Sequence, residues 1–429
     1  MRSNSLKDPF QTLVGAALAL CVVGAPTAMA ATQAEINNAI DKGLTYLEGT
    51  QAAGGYWNYG GYEQATTGAA VFAMLSQRSQ WGANTAAYQA EVDKGINYLL
   101  QSASLMNGAP NGISTRNDGV NICPGGAGSC TGVYWYGAGE ATYTTGQVAM
   151  AIAEYAKATP NAVATATGPL AGMTWKQIAQ GVINSYAASQ STAVNGNKDG
   201  GWRYYIPGNG DSDMSTTQWA VLASIYGQSL GATTPAAVVN SLKNWLTAVQ
   251  AADGGACYQP GVGPCDQADT GGMLMALDFV GKTTADTPVQ KALTYLNNNW
   301  TQGANGTWYG NFNQPYSMWA QYKGLELNIG LGNTSAITNL LDSTCGGDSP
   351  TTCNWWQDYN EWLVNTQSGD GSWGGYAYWY GPLATAYFLP ILGGAEIPIP
   401  NPDPEPETLV LLATGLFLLA RSRQRKAGS

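Results

Sequence analysis

Gln51-Ala52-Ala53-Gly54-Gly55-Tyr56-Trp57 and Gln367-Ser368-Gly369-Asp370-Gly371-Ser372-Trp373 share one spacing, Gln-x3-Gly-x-Trp, at opposite ends of the chain. Gln302-x3-Gly306-x-Trp308 reads as a third copy with a shifted lead-in. Gln250-x3-Gly254 lacks the Trp, and Gln190 with Gly200-Gly201-Trp202 carries an insertion. A phrase that returns along a chain marks a repeat protein and has to be read before any single element. Its residue types suit one structural role. Gln bonds backbone at a helix end, Gly permits a tight turn, and Trp stacks over the neighbouring repeat.

Working outward, a second phrase precedes these loops. It reads Lys42-Gly43-Leu44-x-Tyr46-Leu47, Lys94-Gly95-Ile96-x-Tyr98-Leu99, Lys243-Asn244-Trp245-Leu246, Lys291-Ala292-Leu293-x-Tyr295-Leu296 and Trp362-Leu363. Each copy lies on apolar residues at helical spacing, such as Ile36, Ile40, Leu44 and Leu47. After each loop comes a more uniformly apolar stretch: 66–75, 144–155, 215–226, 270–277, 317–327 and 383–389. An amphipathic helix followed by one apolar all round is the pattern of an outer and an inner helix. The outer helices are expected near 33–50, 90–101, 175–190, 236–250, 287–300 and 356–367. Six such pairs form either an open solenoid or a closed barrel. Closure buries both ends of the array, and no polar capping repeat is visible. The expected fold is therefore all-α, a closed (α/α)6 toroid of six helix pairs over residues 31–395.

The repeated Gln-x3-Gly-x-Trp loops resemble the QW motifs of the squalene/hopene cyclase and prenyltransferase α/α-toroid superfamily. The likeness spans about residues 35–390 and implies the toroid fold, with the QW residues as scaffold. The activities of that superfamily fit less well. Asp211-Ser212-Asp213-Met214-Ser215-Thr216 resembles the D-x-D-D-T-A motif whose central Asp protonates an alkene, but Met214 stands where the last Asp belongs. The chain has no histidine, which removes a prenyltransferase-type zinc site and a Ser-His-Asp triad. Gly61-Tyr62-Glu63-Gln64 echoes the thioester motif of complement-like toroids without its cysteine. No metal and no cofactor are implied. Asn195-x-Asn197-x-Asp199-Gly200 matches the start of an EF-hand loop, but Ile206 occupies the place of the bidentate Glu.

Both ends of the chain read as addresses. Residues 1–30 have a basic start (Arg2, Lys7), an apolar run from Leu13 to Val23 and the small-residue site Ala28-Met29-Ala30, as a secretory signal peptide does. Residues 396–407 form a Pro-rich linker, and 408–429 an apolar stretch ending in Arg421, Arg423, Arg425 and Lys426. The apolar stretch is shorter than the ~20 residues of a comfortable span, and the basic cluster follows the positive-inside pattern. Pro404-Glu405-Pro406 with this hydrophobic segment and Arg-rich end resembles a PEP-CTERM sorting signal. That resemblance implies a Gram-negative host, transient inner-membrane anchoring, exosortase and the secretion machinery as partners, and delivery to the cell surface or exopolymer matrix.

Beyond the leader's Cys21, six cysteines fall into three local pairs, Cys123/Cys130, Cys257/Cys265 and Cys345/Cys353. Six cysteines allow 15 connectivities, and the clustering favours three local disulfides, each worth roughly 2–3 kcal/mol in the loop-entropy model. The leader takes two basic residues and one acidic one from the chain's 18 and 28, and the tail takes four and three. The remaining body carries 12 basic and 24 acidic residues. A body this acidic argues against nucleic acid, whose phosphates need Lys and Arg.

The alternation of outer helix, loop and inner helix brings every inner-helix N-terminus to one end of the barrel. The carboxylates Glu63, Glu140, Asp211, Asp213, Asp266 and Asp269 collect there, among Trp135, Tyr136, Trp202, Trp308, Tyr316 and Trp379. A carboxylate at such a place ordinarily caps free N–H groups, and Asp213 and Asp269 both suit that role. The same residues are the candidates for function: Asp213, Asp211 and Glu140 for acid–base work, and Glu63, Asp269, Trp135, Tyr136, Trp202, Trp308, Tyr316 and Trp379 for holding a ligand. Tyr and Trp faces beside Asp and Asn suit sugar rings, which offer an apolar face and hydroxyl edges. The expectation is a toroid that binds an exopolysaccharide or other matrix glycan without catalysis. The alternatives are an (α/α)6 enzyme using a carboxylate pair such as Glu140 with Asp213, and a squalene-cyclase-like enzyme.

Overall fold

The computed structural model describes residues 31–192, 199–208, 210–303, 308–341, 353–376 and 379–400. The outer helices are α1 (Gln33–Thr50), α3 (Thr85–Gln101), α5 (Trp175–Ser189), α7 (Ala236–Val249), α9 (Thr287–Asn299) and α11 (Trp355–Thr366). The inner helices are α2 (Glu63–Ser76), α4 (Ala141–Ala156), α6 (Met214–Ser229), α8 (Gln267–Phe279), α10 (Pro315–Ile329) and α12 (Gly381–Leu392). Two small antiparallel ribbons decorate the loops: β1 (Ser104–Leu105) with β2 (Val133–Tyr134), and β3 (Ala256–Gln259) with β4 (Val262–Asp266).

The inner helices pack in the cyclic order α2, α4, α6, α8, α10, α12 and back to α2, so the ring is closed. Most outer helices bury a single stripe, as α9 does with Val289, Ala292, Leu293 and Leu296, while α5 is buried all round from Gly181 to Ser189. The inner helices are buried almost all round, α2 continuously from Ala65 to Leu75. Small residues let them touch backbone to backbone. A Cβ on Gly271 of α8 would lie 2.5 Å from the Gln321 nitrogen of α10.

The loop motif does one job four times. The Gln51 amide donates to Gly55 O (3.1 Å) within its own turn and to Glu91 O (2.8 Å) on the next outer helix. Gln190 does the same with Gly200 O and Val238 O, and Gln250 with Gly254 O and Pro288 O. Gln367 bonds Gly371 O (3.0 Å) and Ala39 O (2.8 Å), which joins the last loop to the first helix and locks the ring. The Gly must be Gly because its φ is positive (+84° at Gly55) and a Cβ there would lie 2.8 Å from Lys94 O.

Each loop Trp is buried and donates its indole N–H to the end of the preceding outer helix: Trp57 to Leu47 O, Trp202 to Tyr186 O and Trp373 to Leu363 O. Trp135 does likewise with Leu99 O (2.7 Å), so the second repeat has a scaffold Trp without the leading Gln. A Thr of the following inner helix accepts the Trp backbone N–H, as Thr67, Thr145, Thr217 and Thr385 do. The third copy departs from expectation. Trp308 is exposed beside Tyr376, and the buried indole of that repeat is Trp300, which donates to Asp358 Oδ2 at 2.6 Å.

Cys123–Cys130 and Cys257–Cys265 are disulfides, the latter across the β3–β4 ribbon. Cys353 is disulfide-bonded as well, and its expected partner Cys345 lies outside the described residues. So do the leader, the Pro-rich linker beyond residue 400, the sorting segment and most of the EF-hand-like stretch. Among the described residues no helix is long and apolar enough to cross a membrane. At the C-terminal ends of the inner helices the chain after α12 packs against the neighbouring α10: Tyr322 donates to Ala395 O (2.8 Å), and Ile397 is buried.

Candidate functional site

Because inner and outer helices alternate, the N-termini of all six inner helices open on one mouth. Asp213 is the hub of its floor. It caps α6, its Oδ1 accepting from Thr216 N (2.8 Å) and from Ser215 Oγ (2.6 Å), while Oδ2 takes a 2.8 Å ion pair from Arg203. Burial pushes its carboxyl up from the usual range, opposed by these donors, which favour the charged form. Ser215 Oγ meets the Tyr143 hydroxyl of α4 at 2.7 Å, and the Tyr316 hydroxyl of α10 donates to Ser215 O at 2.6 Å. A chain of hydrogen bonds thus runs from Arg203 through Asp213 and Ser215 to Tyr143.

Aromatic rings wall this floor. Tyr143 stacks on Tyr204 (5.8 Å between centroids), whose hydroxyl meets that of Tyr258 at 2.6 Å. The Arg203 guanidinium covers both rings, at 4.8 and 5.3 Å. Trp379 packs against Tyr316 (5.5 Å) and Tyr387 (5.3 Å). Asp211 lies 3.6 Å from Arg203 and accepts from Gln259 of β3. Glu140, at the start of α4, makes no capping bond, and burial raises its carboxyl. Its charge helps push up the Tyr62 and Tyr204 hydroxyls.

Asp269 differs from expectation. The cap of α8 is Asp266, whose Oδ1 accepts from Asp269 N at 2.8 Å. Asp269 itself is buried inside the first turn. Burial and the neighbouring Asp266 and Asp213 push it well above the ordinary carboxylate range. Asp266 is raised by burial to about 6. Among the described residues no group of three or more His, Cys, Asp or Glu side chains is arranged to hold a metal ion.

The structure therefore brings together Asp211, Asp213, Glu140, Asp269, Tyr316 and Trp379. It does not bring Glu63 to them, because that carboxylate turns to the Tyr98 hydroxyl of α3 (2.9 Å). Trp135 and Trp202 are buried, their indoles bonded to Leu99 O and Tyr186 O. Tyr136 and Trp308 are exposed on the rim instead. Of the residues that shape the floor, sequence reasoning missed Arg203, Tyr143, Ser215 and Tyr258. A signal existed for Arg203, a rare cation directly after a motif tryptophan in a Gly- and Tyr-rich loop. The others sit one turn into a helix or in a ribbon, where the linear sequence does not show convergence.

Two further features lie apart from the mouth. Lys323 of α10 is fully buried inside the ring, 3.3 Å from Gln218 Oε1 and 4.6 Å from the Trp219 ring, and burial pushes it well below its ordinary value. A groove of about 330 Å3 lies on the outer wall by α7 and α9, lined by Lys243, Gln250, Leu277, Lys282 and Lys291.

No protein-family profile and no curated protein sequence matches this chain. Two solved structures are similar in outline. The apo type II terpene cyclase MstE from Scytonema shares 13% identity at a TM-score of 0.46, over 84% of this chain and 99% of its own. The glycoside hydrolase family 76 mannosidase Bt3792 from Bacteroides thetaiotaomicron VPI-5482 shares 10% identity at a TM-score of 0.49, over 84% and 98%. Likenesses at this level carry nothing about activity. The closed α/α toroid stands on its own helix contacts, from α2 round to α12 and back.

Proposed function

We propose that the toroid is a glycan-binding protein of the cell envelope or extracellular matrix, exported through its N-terminal signal and released by an exosortase acting on its C-terminal segment. The observation that carries the binding reading is the distribution of exposed aromatics. Tyr136 (59% exposed), Tyr205 (50%), Trp308 (47%) and Tyr380 (56%) all lie on loops that lead into inner helices, around the mouth. Exposed aromatic surface gathered in one place marks an interaction site, and flat rings suit the apolar faces of sugars. Beneath them the floor offers hydroxyls and carboxylates for the sugar edges. The carboxylates there disfavour an anionic polymer, so the ligand is uncharged.

Affinity electrophoresis through gels carrying soluble neutral polysaccharides tests this. Retardation by at least one polymer is expected, weakened about three- to tenfold by Tyr205→Ala or Tyr380→Ala if each ring contributes what an aromatic contact typically does. Mobility unaffected by every neutral polymer would refute it.

One observation favours a second reading, a glycan-cleaving enzyme. Glu140 and Asp213 act on the same Tyr204 from unlike settings: one without a capping bond and raised by burial, the other held by Arg203, Ser215 and Thr216. Such divergence separates an acid from a base. Release of reducing ends by the wild type, absent in Asp213→Asn, would establish that reading. Binding without turnover in both forms would remove it.

A further inference from the structure

The groove on the outer wall gathers positive charge on an acidic body. Lys243 of α7, Lys282 just beyond α8 and Lys291 of α9 line it, three of the 12 basic residues the body carries, and no acidic residue lines it. Lys282 is held by Asp286 at 3.0 Å, while Lys243 and Lys291 have no acidic partner among the described residues. Leu246, Leu277 and Pro288 make the wall between the amines apolar. The volume of about 330 Å3 is enough for a ligand group, and this lining suits one that combines carboxylates with apolar rings.

The outgoing chain runs toward this groove. After α12 it lies on α10, where Tyr322 donates to Ala395 O and Ile397 is buried. The end of α10 is tied in turn to α8 by Asn328, which donates to Leu274 O at 3.0 Å. One turn further along α8 is Leu277, whose carbonyl accepts from Lys282 N at 2.9 Å, and both residues line the groove. Beyond Pro400 the sequence reads Asn401-Pro402-Asp403-Pro404-Glu405-Pro406-Glu407. In polyproline geometry such a segment spans roughly 20 Å, about two helix diameters.

We propose that the groove is the docking site of the chain's own linker, residues 401–407, with Asp403, Glu405 and Glu407 meeting its lysines and the prolines lying on its apolar wall. Charge selects the place: with 24 acidic residues against 12 basic ones, most of the body repels an acidic segment, and this groove attracts it. A Pro-rich segment is already stiff, so docking costs it little conformational entropy. Single ion pairs at a surface are weak, but three acting on a tethered segment gain from its high effective concentration. Docking keeps the Pro404-Glu405-Pro406 sequence against the outer wall, apart from the mouth. The inference is independent of the glycan-binding reading.

The test measures lysine acetylation rates by peptide mass spectrometry in the full chain and in its Asp403→Asn/Glu405→Gln/Glu407→Gln variant. These substitutions lie outside the toroid, so the fold is left alone. Lys243 and Lys291 are expected to react roughly two- to fivefold more slowly in the wild type than in the variant, the protection that exposed ion pairs give. Lys42 of α1 and Lys176 of α5, away from the groove, should react alike in both. Zero-length carbodiimide coupling then identifies the occupant. Cross-links from residues 401–407 to Lys243, Lys282 or Lys291 are expected, and in a mixture of 14N- and 15N-labelled chains they should join residues of the same isotope. Equal acetylation of Lys243 and Lys291 in the two forms overturns the proposal. So does protection that survives in the variant, which would mark an anion from solution. Mixed-isotope cross-links alone would assign the groove to a second copy's linker and overturn it as well. None of these results bears on glycan binding at the mouth.

Discussion

Gln367→Ala opens the joint that closes the ring. The side chain makes two hydrogen bonds, 3.0 Å to Gly371 O and 2.8 Å to Ala39 O, the second linking the last loop to the first helix. At about 1 kcal/mol net per bond, their loss costs about 2 kcal/mol. For a body larger than 150–250 residues that lowers Tm by at most roughly 4–8 °C. Gln51→Ala is the internal standard, because Gln51 makes the same two bonds between consecutive repeats (3.1 and 2.8 Å). Thermal melts followed by circular dichroism compare the two. In a closed ring both variants lose about the same stability. In an open array the last loop has no first helix to hold, and Gln367→Ala would melt like the wild type while Gln51→Ala falls. That outcome would refute ring closure.

Other perturbations read the interior. Gly271→Ala sets a methyl 2.5 Å from the Gln321 nitrogen and 2.6 Å from the Ala320 carbonyl carbon, so α8 and α10 must part; a destabilisation of about 1–3 kcal/mol or more is expected in urea unfolding. Lys323→Met should stabilise by about 1–4 kcal/mol at neutral pH, because a buried amine with no carboxylate partner among the described residues is replaced by an apolar chain. Since its folded pKa is lowered, the unfolded chain binds the extra proton, so wild-type stability climbs with pH toward about 10 and the variant's does not. Asp269 has the opposite sign. Its folded pKa is raised, so the stability it contributes is complete below its unfolded pKa of about 4 and is lost as pH rises through the folded value. Asp269→Asn should therefore match the wild type in acid and exceed it at neutral pH, read from the same urea series at both pH values.

The fold was largely legible because its signals are local and repeated. The outer stripe of Ile36, Ile40, Leu44 and Leu47 and the Gln-x3-Gly-x-Trp turn each specify their own segment, and six outer and inner helix pairs specify a ring. Trp308 misled because spacing cannot tell a buried indole from an exposed one. In that repeat Trp300 already fills the place between Phe312, Tyr359 and Asp358. The Thr that accepts each loop Trp was invisible for a similar reason, since a lone Thr in a helix carries no sequence signal of its partner. The floor was legible only as a set of acids. Which carboxylate caps, which pairs and which is left alone depends on contacts between α4, α6, α8 and α10, far apart in sequence. Asp266 and Asp269, three residues apart, look interchangeable as caps until one N–H is seen to be taken by the first.

Binding of an uncharged glycan at the mouth is tested most directly by isothermal titration of the full chain with the neutral polysaccharide that retards it most, repeated with Tyr205→Ala/Trp308→Ala. The wild type should bind saturably, the double variant roughly tenfold or more weakly, and an anionic polymer of similar length should give no heat. Saturable binding left intact by the rim substitutions, or a preference for the anionic polymer, would contradict the glycan-binding role.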